Sequence, residues 1–474
     1  MRSGGTHIYR FGPFELDSSL RRLLRGSEPV LLSDRHLEIL LQLTAKAGHI
    51  LTKDELIGAA WKDVAVADNS IEQAISSLRK TLGSQSNGAP YIETLTRRGY
   101  RFSAPVERGR PRQSDASLDA LLAPHRAFVE GRAALETLDR EAVIHARAAF
   151  QQALSAEPDY AAAHIGMANA CVLAFESTRA DAAPDVESLR QAAHHAREGC
   201  RLDASSGEAW STRAFVLHRS GNAPEAIAAA RKAVTLDADN WHHYLRLAFV
   251  SWGEERLRAA HRVLALCPGL ALGYWFAATV FVARQAFDAA LDELRPGCAS
   301  QDAQRTETGR FKAVGLHLLH GLVLAARRSE ERALEEFARE LDFESDGQLY
   351  TRECCANTWY AAGAVHLRND RRHEADAAFR EALKRVPGHR LVSVACGTTL
   401  PLQSGNDVDA AMVEAAALVQ QGRHDDAARR CGDALALAEP GQAGWIIPVD
   451  PLLHASAHRD AWARTLAMLR DRAA

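Results

Sequence analysis

Hydrophobic residues recur with a helical period over most of this chain, and only the first hundred residues depart from that pattern. Residues 8–32 alternate in short runs separated by turn residues, which is typical of a small β-sheet. Three amphipathic helices are predicted to begin near Ser33, Thr52 and Asn69, because each side chain can accept a hydrogen bond from a first-turn amide. Residues 91–102 then form a predicted two-stranded hairpin.

The third predicted helix has two contrasting faces. Its apolar stripe repeats at i, i+4, i+7 and i+11 and consists of Ile71, Ile75, Leu78 and Leu82. The opposite polar face consists of Asn69, Gln73, Ser76, Ser77 and Lys80, with Arg79 on its flank. A helix exposing such side chains can enter the major groove of duplex DNA and reach base edges.

The chain after about residue 120 is alanine-rich and repeats itself. The repeat is clearest at Trp359, Ala362, Gly363, His366, Ala375, Phe379, Ala382 and Pro387. This is the 34-residue spacing of the tetratricopeptide motif, in which small residues let two helices approach and bulky ones fill the gap to the next pair. Seven or eight helical hairpins are predicted, with degenerate ones after Ala161, Asn240 and Leu270. We therefore expect an all-α superhelical solenoid over residues 121–474, joined by a polar linker at residues 107–120.

One charge-free stretch, residues 263–283, is long enough to span a membrane. Pro268 and Gly269 favour a turn between two shorter buried helices instead, and a repeat boundary falls at the same place. All eight cysteines follow residue 170 without a metal-binding spacing, and no signal peptide is recognisable at the N-terminus. These observations predict free thiols, no membrane association and a cytoplasmic location.

Charge is distributed unevenly along the chain. Residues 1–110 hold 16 lysines and arginines against 12 aspartates and glutamates, whereas residues 111–474 hold 41 against 48. A basic segment on an acidic remainder indicates that the N-terminal part binds a polyanion. At the hairpin, Arg97 or Arg98 is predicted to enter the minor groove. Phosphate contacts are predicted for Arg79, Lys80 and either Thr94 or Thr96, and base contacts chiefly for Asn69 and Gln73.

In this order of elements, the first 106 residues resemble the OmpR/PhoB-type winged-helix DNA-binding domain. The residues that carry the resemblance include Phe11-Gly12, Leu37 to Leu43, Ala60-Trp61, Asp68-Asn69-Ser70-Ile71, Ile75 to Gly83 and Arg98-Gly99-Tyr100-Arg101-Phe102. The resemblance implies an α+β fold in which the third helix is the recognition helix and the hairpin is the wing. It also implies that residues 61–66 can touch RNA polymerase. Ser76 and Ser77 stand where the family often has longer basic residues, so a relative's target sequence does not transfer directly.

The whole architecture resembles bacterial CadC-like and HilA-like regulators, which join a winged helix to tetratricopeptide-like repeats without a receiver domain. CadC-like members cross the membrane just after the winged helix, but residues 107–125 here are too polar to do so. The resemblance implies a cytoplasmic, sequence-specific transcription regulator that binds promoter DNA. The repeats are expected to oligomerise the protein, as in a homodimer, or to sense a protein or small-molecule effector. The alternative is a repeat scaffold recruited to DNA or polymerase with little sequence specificity.

Motifs for catalysis and cofactor binding are missing from the sequence. There is no phosphate-binding loop, nucleophile elbow or zinc-protease motif. The pairs His194-His195 and His242-His243 lack a completed ligand set. We therefore expect a protein that is not an enzyme and that has no cofactor and no metal site.

Overall fold

A computed structural model describes most of the chain, in two compact units, Met1–Arg126 and Ala127–Ala474. The described residues are 7–18, 20–26, 28–30, 32–60, 70–85, 87–96, 98–109, 116–136, 139–304, 312–344, 349–398 and 407–474. The domain limits at residues 106 and 121 stay predictions.

The first unit contains two antiparallel sheets. The first sheet has the order β4-β3-β2-β1-β8, and the second has the order β5-β7-β6. The strands are β1 Ile8–Phe11, β2 Phe14–Asp17, β3 Arg22–Arg25, β4 Glu28–Val30, β5 Ile50–Leu51, β6 Ile92–Leu95, β7 Gly99–Phe102 and β8 Glu107–Gly109. Phe11 from the first sheet meets Phe102 from the second edge-on, with ring centroids 4.9 Å apart, so both sheets share one core.

Three helices, α1 Asp34–Ala45, α2 Lys53–Ala60 and α3 Ser70–Leu82, complete this unit. Ser33 caps α1 by accepting a hydrogen bond from the His36 amide at 3.4 Å. At α2, the Thr52 amide donates to Glu55 Oε2 at 2.8 Å, while the Glu55 amide donates to Thr52 Oγ1 at 3.2 Å. This reciprocal pair is a capping box, and it confirms the helix start predicted at Thr52.

The predicted linker differs from the structure at both ends. Its first residues form β8, an edge strand that pairs with β1 in the register Ile8↔Gly109, Tyr9↔Arg108 and Arg10↔Glu107. At the other end, a helix already begins at Ala116. The polar composition of residues 107–109 gives no sequence signal for a strand, because a short edge strand is held by backbone hydrogen bonds and needs few apolar side chains.

The described residues of the second unit form α-helices and no strands, as the sequence predicts, with a long segment of turns at residues 438–458. Its helices, together with α4, which begins in the first unit, are α4 Ala116–Ala134, α5 Arg140–Ala156, α6 Ala161–Thr178, α7 Val186–Leu202, α8 Gly207–Arg219, α9 Ala223–Leu236, α10 Trp241–Val250, α11 Gly253–Leu266, α12 Ala271–Ala283, α13 Phe287–Ala303, α14 Leu316–Ala326, α15 Glu330–Leu341, α16 Thr351–Arg368, α17 Arg372–Arg385, α18 Arg390–Ala395, α19 Val408–Gln420, α20 His424–Leu437 and α21 Arg459–Arg472. The degenerate hairpins expected after Ala161, Asn240 and Leu270 begin at α6, α10 and α12.

A glycine facing a phenylalanine recurs within the hairpins. A Cβ atom on Gly363 would lie 2.5 Å from Cε1 of Phe379, and one on Gly321 would lie 2.4 Å from Cε1 of Phe337. Both phenylalanines are only 1% exposed. The small residue of the repeat motif is therefore required because the ring from the second helix occupies the place of its side chain.

The charge-free stretch at residues 263–283 forms two helices, as predicted. Helix α11 ends at Leu266, a turn follows through Pro268 and Gly269, and α12 begins at Ala271. In the described ranges, no helix combines the length and apolar character that a bilayer span requires.

The C-terminal residues fold back onto earlier repeats, which the repeat pattern does not predict. Arg256 of α11 donates to Gln442 Oε1 at 2.6 Å, and Arg284 donates to the carbonyl of Ala473 at 2.8 Å. Trp462 of α21 is fully buried. Because Trp462 packs in one cluster with residues of α19 and α20, helix α21 covers the apolar surface that the last hairpin would otherwise expose.

Candidate nucleic-acid interface

Helix α3 presents the two faces that its sequence predicts. The apolar residues Ile71, Ile75, Leu78 and Leu82 are each at most 3% exposed. On the opposite side, the exposed residues are Glu72, Gln73, Ser76, Ser77 and Lys80. The apolar stripe fixes the rotation of the helix about its axis, so the polar face points away from the core.

The hairpin formed by β6 and β7 lies beside α3 and has a tight turn. Thr94, Thr96 and Arg98 are exposed on it, and the Arg98 amide donates to the carbonyl of Leu95 at 2.8 Å. Gly99 has a φ of +126°, and a Cβ atom there would lie 2.0 Å from the carbonyl oxygen of Leu51. Only glycine permits this close passage of β7 past β5.

Arg79 joins the helix to the hairpin. Its Nε donates to the carbonyl oxygen of Ile92 at 2.8 Å, and its terminal nitrogen donates to Thr94 Oγ1 at 2.7 Å. The side chain is half-buried between the two elements. Two donors of one planar guanidinium thus fix β6 relative to α3, which a flexible ammonium group could not do in the same way.

Two acidic side chains near this surface are neutralised locally. Lys53 Nζ lies 2.6 Å from Glu72 Oε1, and Arg101 lies 2.6 Å from Glu93 Oε2. Lys80 and Arg98 have no carboxylate partner within the described part of the chain. The surface of α3 and the hairpin therefore keeps positive charge that a phosphate backbone can neutralise.

The structure brings most of the predicted contact residues to two neighbouring elements. Gln73, Ser76, Ser77 and Lys80 share the exposed face of α3, while Thr94, Thr96 and Arg98 lie on the hairpin. Asn69 and Arg97, together with the loop at residues 61–66, lie outside the described residues.

Among the predicted contact residues, Arg79 has the partners that the sequence indicates least, because it bonds to the hairpin. Its sequence position suggested a phosphate contact, whereas two of its donors hold the hairpin. Thr94 is the partner in that contact. The sequence carries no signal for this pairing, because the two residues are 15 positions apart on elements whose packing no local motif records.

A family model described as "Transcriptional regulatory protein, C terminal" matches residues 27–102. The transcriptional activator CadC of Escherichia coli (strain K12) is 32% identical over 100 residues, which are 21% of this chain and 20% of CadC. The transcriptional regulator HilA of Salmonella typhimurium is 37% identical over 84 residues, which are 18% of this chain and 15% of HilA. The chain therefore matches at most a fifth of the length of these two curated relatives.

A solved structure, the DNA-binding domain of E. coli CadC, is 32% identical and covers 21% of this chain and 94% of that domain, with a TM-score of 0.20.

Proposed function

Because residues 27–102 belong to the winged-helix DNA-binding domains of transcriptional regulatory proteins, we propose that this chain binds promoter DNA sequence-specifically and regulates transcription there. The observation that supports the proposal most strongly is the exposed polar face of α3, set beside a hairpin that Arg79 holds to it. This arrangement offers one element for the major groove and one for an adjacent groove or backbone.

Helix α3 is the proposed recognition helix. Gln73 can pair with the N6 and N7 edge of an adenine through both atoms of its amide. Ser76 and Ser77 are short, which lets the helix backbone approach the bases closely, and each hydroxyl can accept or donate. Lys80, nearer the end of the helix, is the proposed phosphate contact on this element.

The hairpin is the proposed wing. Arg98 is exposed at its turn and reaches into the minor groove in this proposal, while Thr94 or Thr96 donates to a phosphate. Asn69 and Arg97 are proposed contacts on the sequence alone.

We assign the regulatory input to the repeats. A stack of helical hairpins has an extended surface that suits a protein segment or a small effector. We propose that the protein acts in the cytoplasm, that the repeats oligomerise it or sense an effector, and that RNA polymerase is a further partner.

Selection of bound duplexes from a random pool by the full-length protein tests the central proposal. We expect a shared motif, and we expect Gln73→Ala to relax one position of it at a cost of about 1–3 kcal/mol. Gln151→Ala is a matched control, since Gln151 is an exposed glutamine on α5. Lys80→Ala should weaken all sites alike and reduce the salt slope by about one.

Unselective binding to the pool would contradict sequence-specific recognition. It would favour the alternative, a repeat scaffold that reaches DNA or polymerase with little sequence preference.

A further inference from the structure

Three consecutive helices of the second unit bring a thiol, two imidazoles and a carboxylate to one buried place. These side chains are Cys298 on α13, His317 and His320 on α14, and Glu336 on α15. Their exposed fractions are 6%, 0%, 7% and 9%. We propose that this cluster is a binding site for a zinc ion, independent of the proposed DNA-binding function.

The donor atoms are close enough to share one ion. One ligand atom each from Cys298, His317 and Glu336 lies within 4.8 Å of the other two. His320 Nδ1 lies 3.3 Å from Glu336 Oε2 and 3.8 Å from Cys298 Sγ. Tetrahedral zinc with ordinary bond lengths of about 2.0–2.3 Å separates its ligand atoms by roughly 3.3–3.6 Å. Cys298, His317 and Glu336 therefore form the compact part of the proposed ligand set, and His320, which lies beside two of them, is the proposed fourth ligand.

The shortest contact in the cluster, between His317 and Glu336, is compatible with zinc binding. His317 Nδ1 lies 2.6 Å from Glu336 Oε2, which is a hydrogen bond between the imidazole and the carboxylate. Zinc takes neutral imidazole, ionised carboxylate and thiolate ligands, so binding of the ion releases the proton of this hydrogen bond and the proton of the Cys298 thiol to solvent.

Partners outside the cluster orient two of the four ligands. The second ring nitrogen of His317, Nε2, lies 3.2 Å from Asp302 Oδ1, which leaves Nδ1 directed at the cluster. The second oxygen of Glu336, Oε1, accepts from Arg339 at 3.2 Å, which leaves Oε2 directed there as well. A carboxylate behind a ligating histidine is the usual outer partner of protein zinc sites.

The neighbouring buried carboxylate, Glu340, caps the start of α14, and this role explains its burial. Glu340 accepts hydrogen bonds from the amides of Gly315 at 2.8 Å and Leu318 at 3.1 Å, at the start of α14. It therefore satisfies amides that a helix start leaves without partners. Among the described residues, Glu336, Cys298 and His320 make no such contact with a helix end, so capping does not account for their burial together.

The chemistry of the set selects the ion class. One sulfur, two nitrogens and one oxygen suit a borderline-soft divalent cation such as zinc, whereas magnesium and calcium prefer oxygen ligands throughout. Four protein ligands leave no open position, so the ion would join α13, α14 and α15 and would not take part in a reaction.

Cobalt substitution in the full-length protein tests the site. A Cys396→Ser background removes the exposed thiol, which could otherwise bind metal adventitiously. After treatment with a chelator, we expect one equivalent of cobalt to give visible d–d bands with a thiolate-to-cobalt charge-transfer band, both removed by zinc and not by magnesium. Cys298→Ser should abolish the charge-transfer band. Cys171→Ser, which alters a buried thiol on α6, should leave it unchanged.

Asp302→Asn distinguishes a metal site from a merely packed cluster. It keeps all four ligands, so the charge-transfer band should persist while zinc affinity falls on the order of 10–100-fold. A native protein that binds no cobalt, or whose cobalt complex lacks the thiolate band, overturns the proposal without reference to any variant. An unchanged spectrum in Cys298→Ser overturns it equally.

Discussion

Replacing Arg79 distinguishes a side chain that holds the hairpin from one that contacts phosphate. Its guanidinium donates to the carbonyl of Ile92 at 2.8 Å and to Thr94 Oγ1 at 2.7 Å. A hydrogen bond contributes about 0.5–1.5 kcal/mol net, and the half-buried position argues against a much larger charged-donor value. Arg79→Ala should therefore cost about 2 kcal/mol of unfolding free energy for the first unit. Thr94→Val, which removes one of the two acceptors, should cost about 1 kcal/mol.

A double-mutant cycle on these two residues isolates their contact. Urea unfolding of the native protein, Arg79→Ala, Thr94→Val and the double variant should give a coupling energy of about 1 kcal/mol. Effects that simply add would contradict the hydrogen bond between the two side chains.

DNA binding separates the two roles of Arg79 further. Arg79→Lys keeps the charge but cannot reproduce two donors in a fixed plane, so it should weaken binding nearly as much as Arg79→Ala. The salt slope should stay close to the native value in both variants. If Arg79→Lys binds like the native protein while the salt slope of Arg79→Ala falls by about 0.9, then Arg79 chiefly contacts phosphate and does not act by holding the hairpin.

Three other perturbations have defined outcomes. Gly99→Ala should abolish DNA binding and lower Tm, because its Cβ would overlap the Leu51 carbonyl, whereas Gly88→Ala, with a φ of +80° and open space, should cost only about 1 kcal/mol. Phe379→Ala should lower the unfolding free energy by about 3–5 kcal/mol in urea titration, since the ring is 1% exposed. Burial lowers the pKa of His389 to about 4, so its neutral form stabilises the fold above pH 6.5. That contribution, at most about 3 kcal/mol, should be lost as pH falls from 6.5 to 4, and His389→Gln should make this part of the stability curve less steep, while His195, His218, His242 and His454, whose pKa burial also lowers to about 4, keep the remaining slope.

Periodicity predicted most of the fold because it records which side of each helix is buried. The stripe of α3 and the glycine and phenylalanine positions of the repeats, such as Gly363 and Phe379, could be read without knowing any partner element. Strand β8 was missed for the opposite reason. Residues 107–109 are held by backbone pairing with β1, and such pairing leaves little trace in side-chain composition.

For the candidate interface, the sequence predicts which face of α3 is exposed but not that Arg79 contacts the hairpin. The polar face of α3 follows from the helical period, so Gln73, Ser76 and Ser77 were assigned correctly to an exposed surface. The role of Arg79 depends on where β6 lies, and that position is fixed by the aromatic core shared by the two sheets. A flank position on a helix can face solvent or a neighbouring element, and one sequence does not distinguish these cases.

The cysteine and histidine cluster shows the same limit at longer range. Cys298 and His320 are 22 residues apart, on helices of two successive hairpins that meet only because each repeat stacks on the next. Local ligand motifs arise where one helix or turn supplies most donors, whereas here three helices supply them. Because repeat stacking sets the position of α13 against α14, shifting α13 by one residue would separate Cys298 from the two histidines while leaving the repeat pattern intact. The zinc proposal is therefore a prediction about tertiary register, and cobalt binding would report on that register directly.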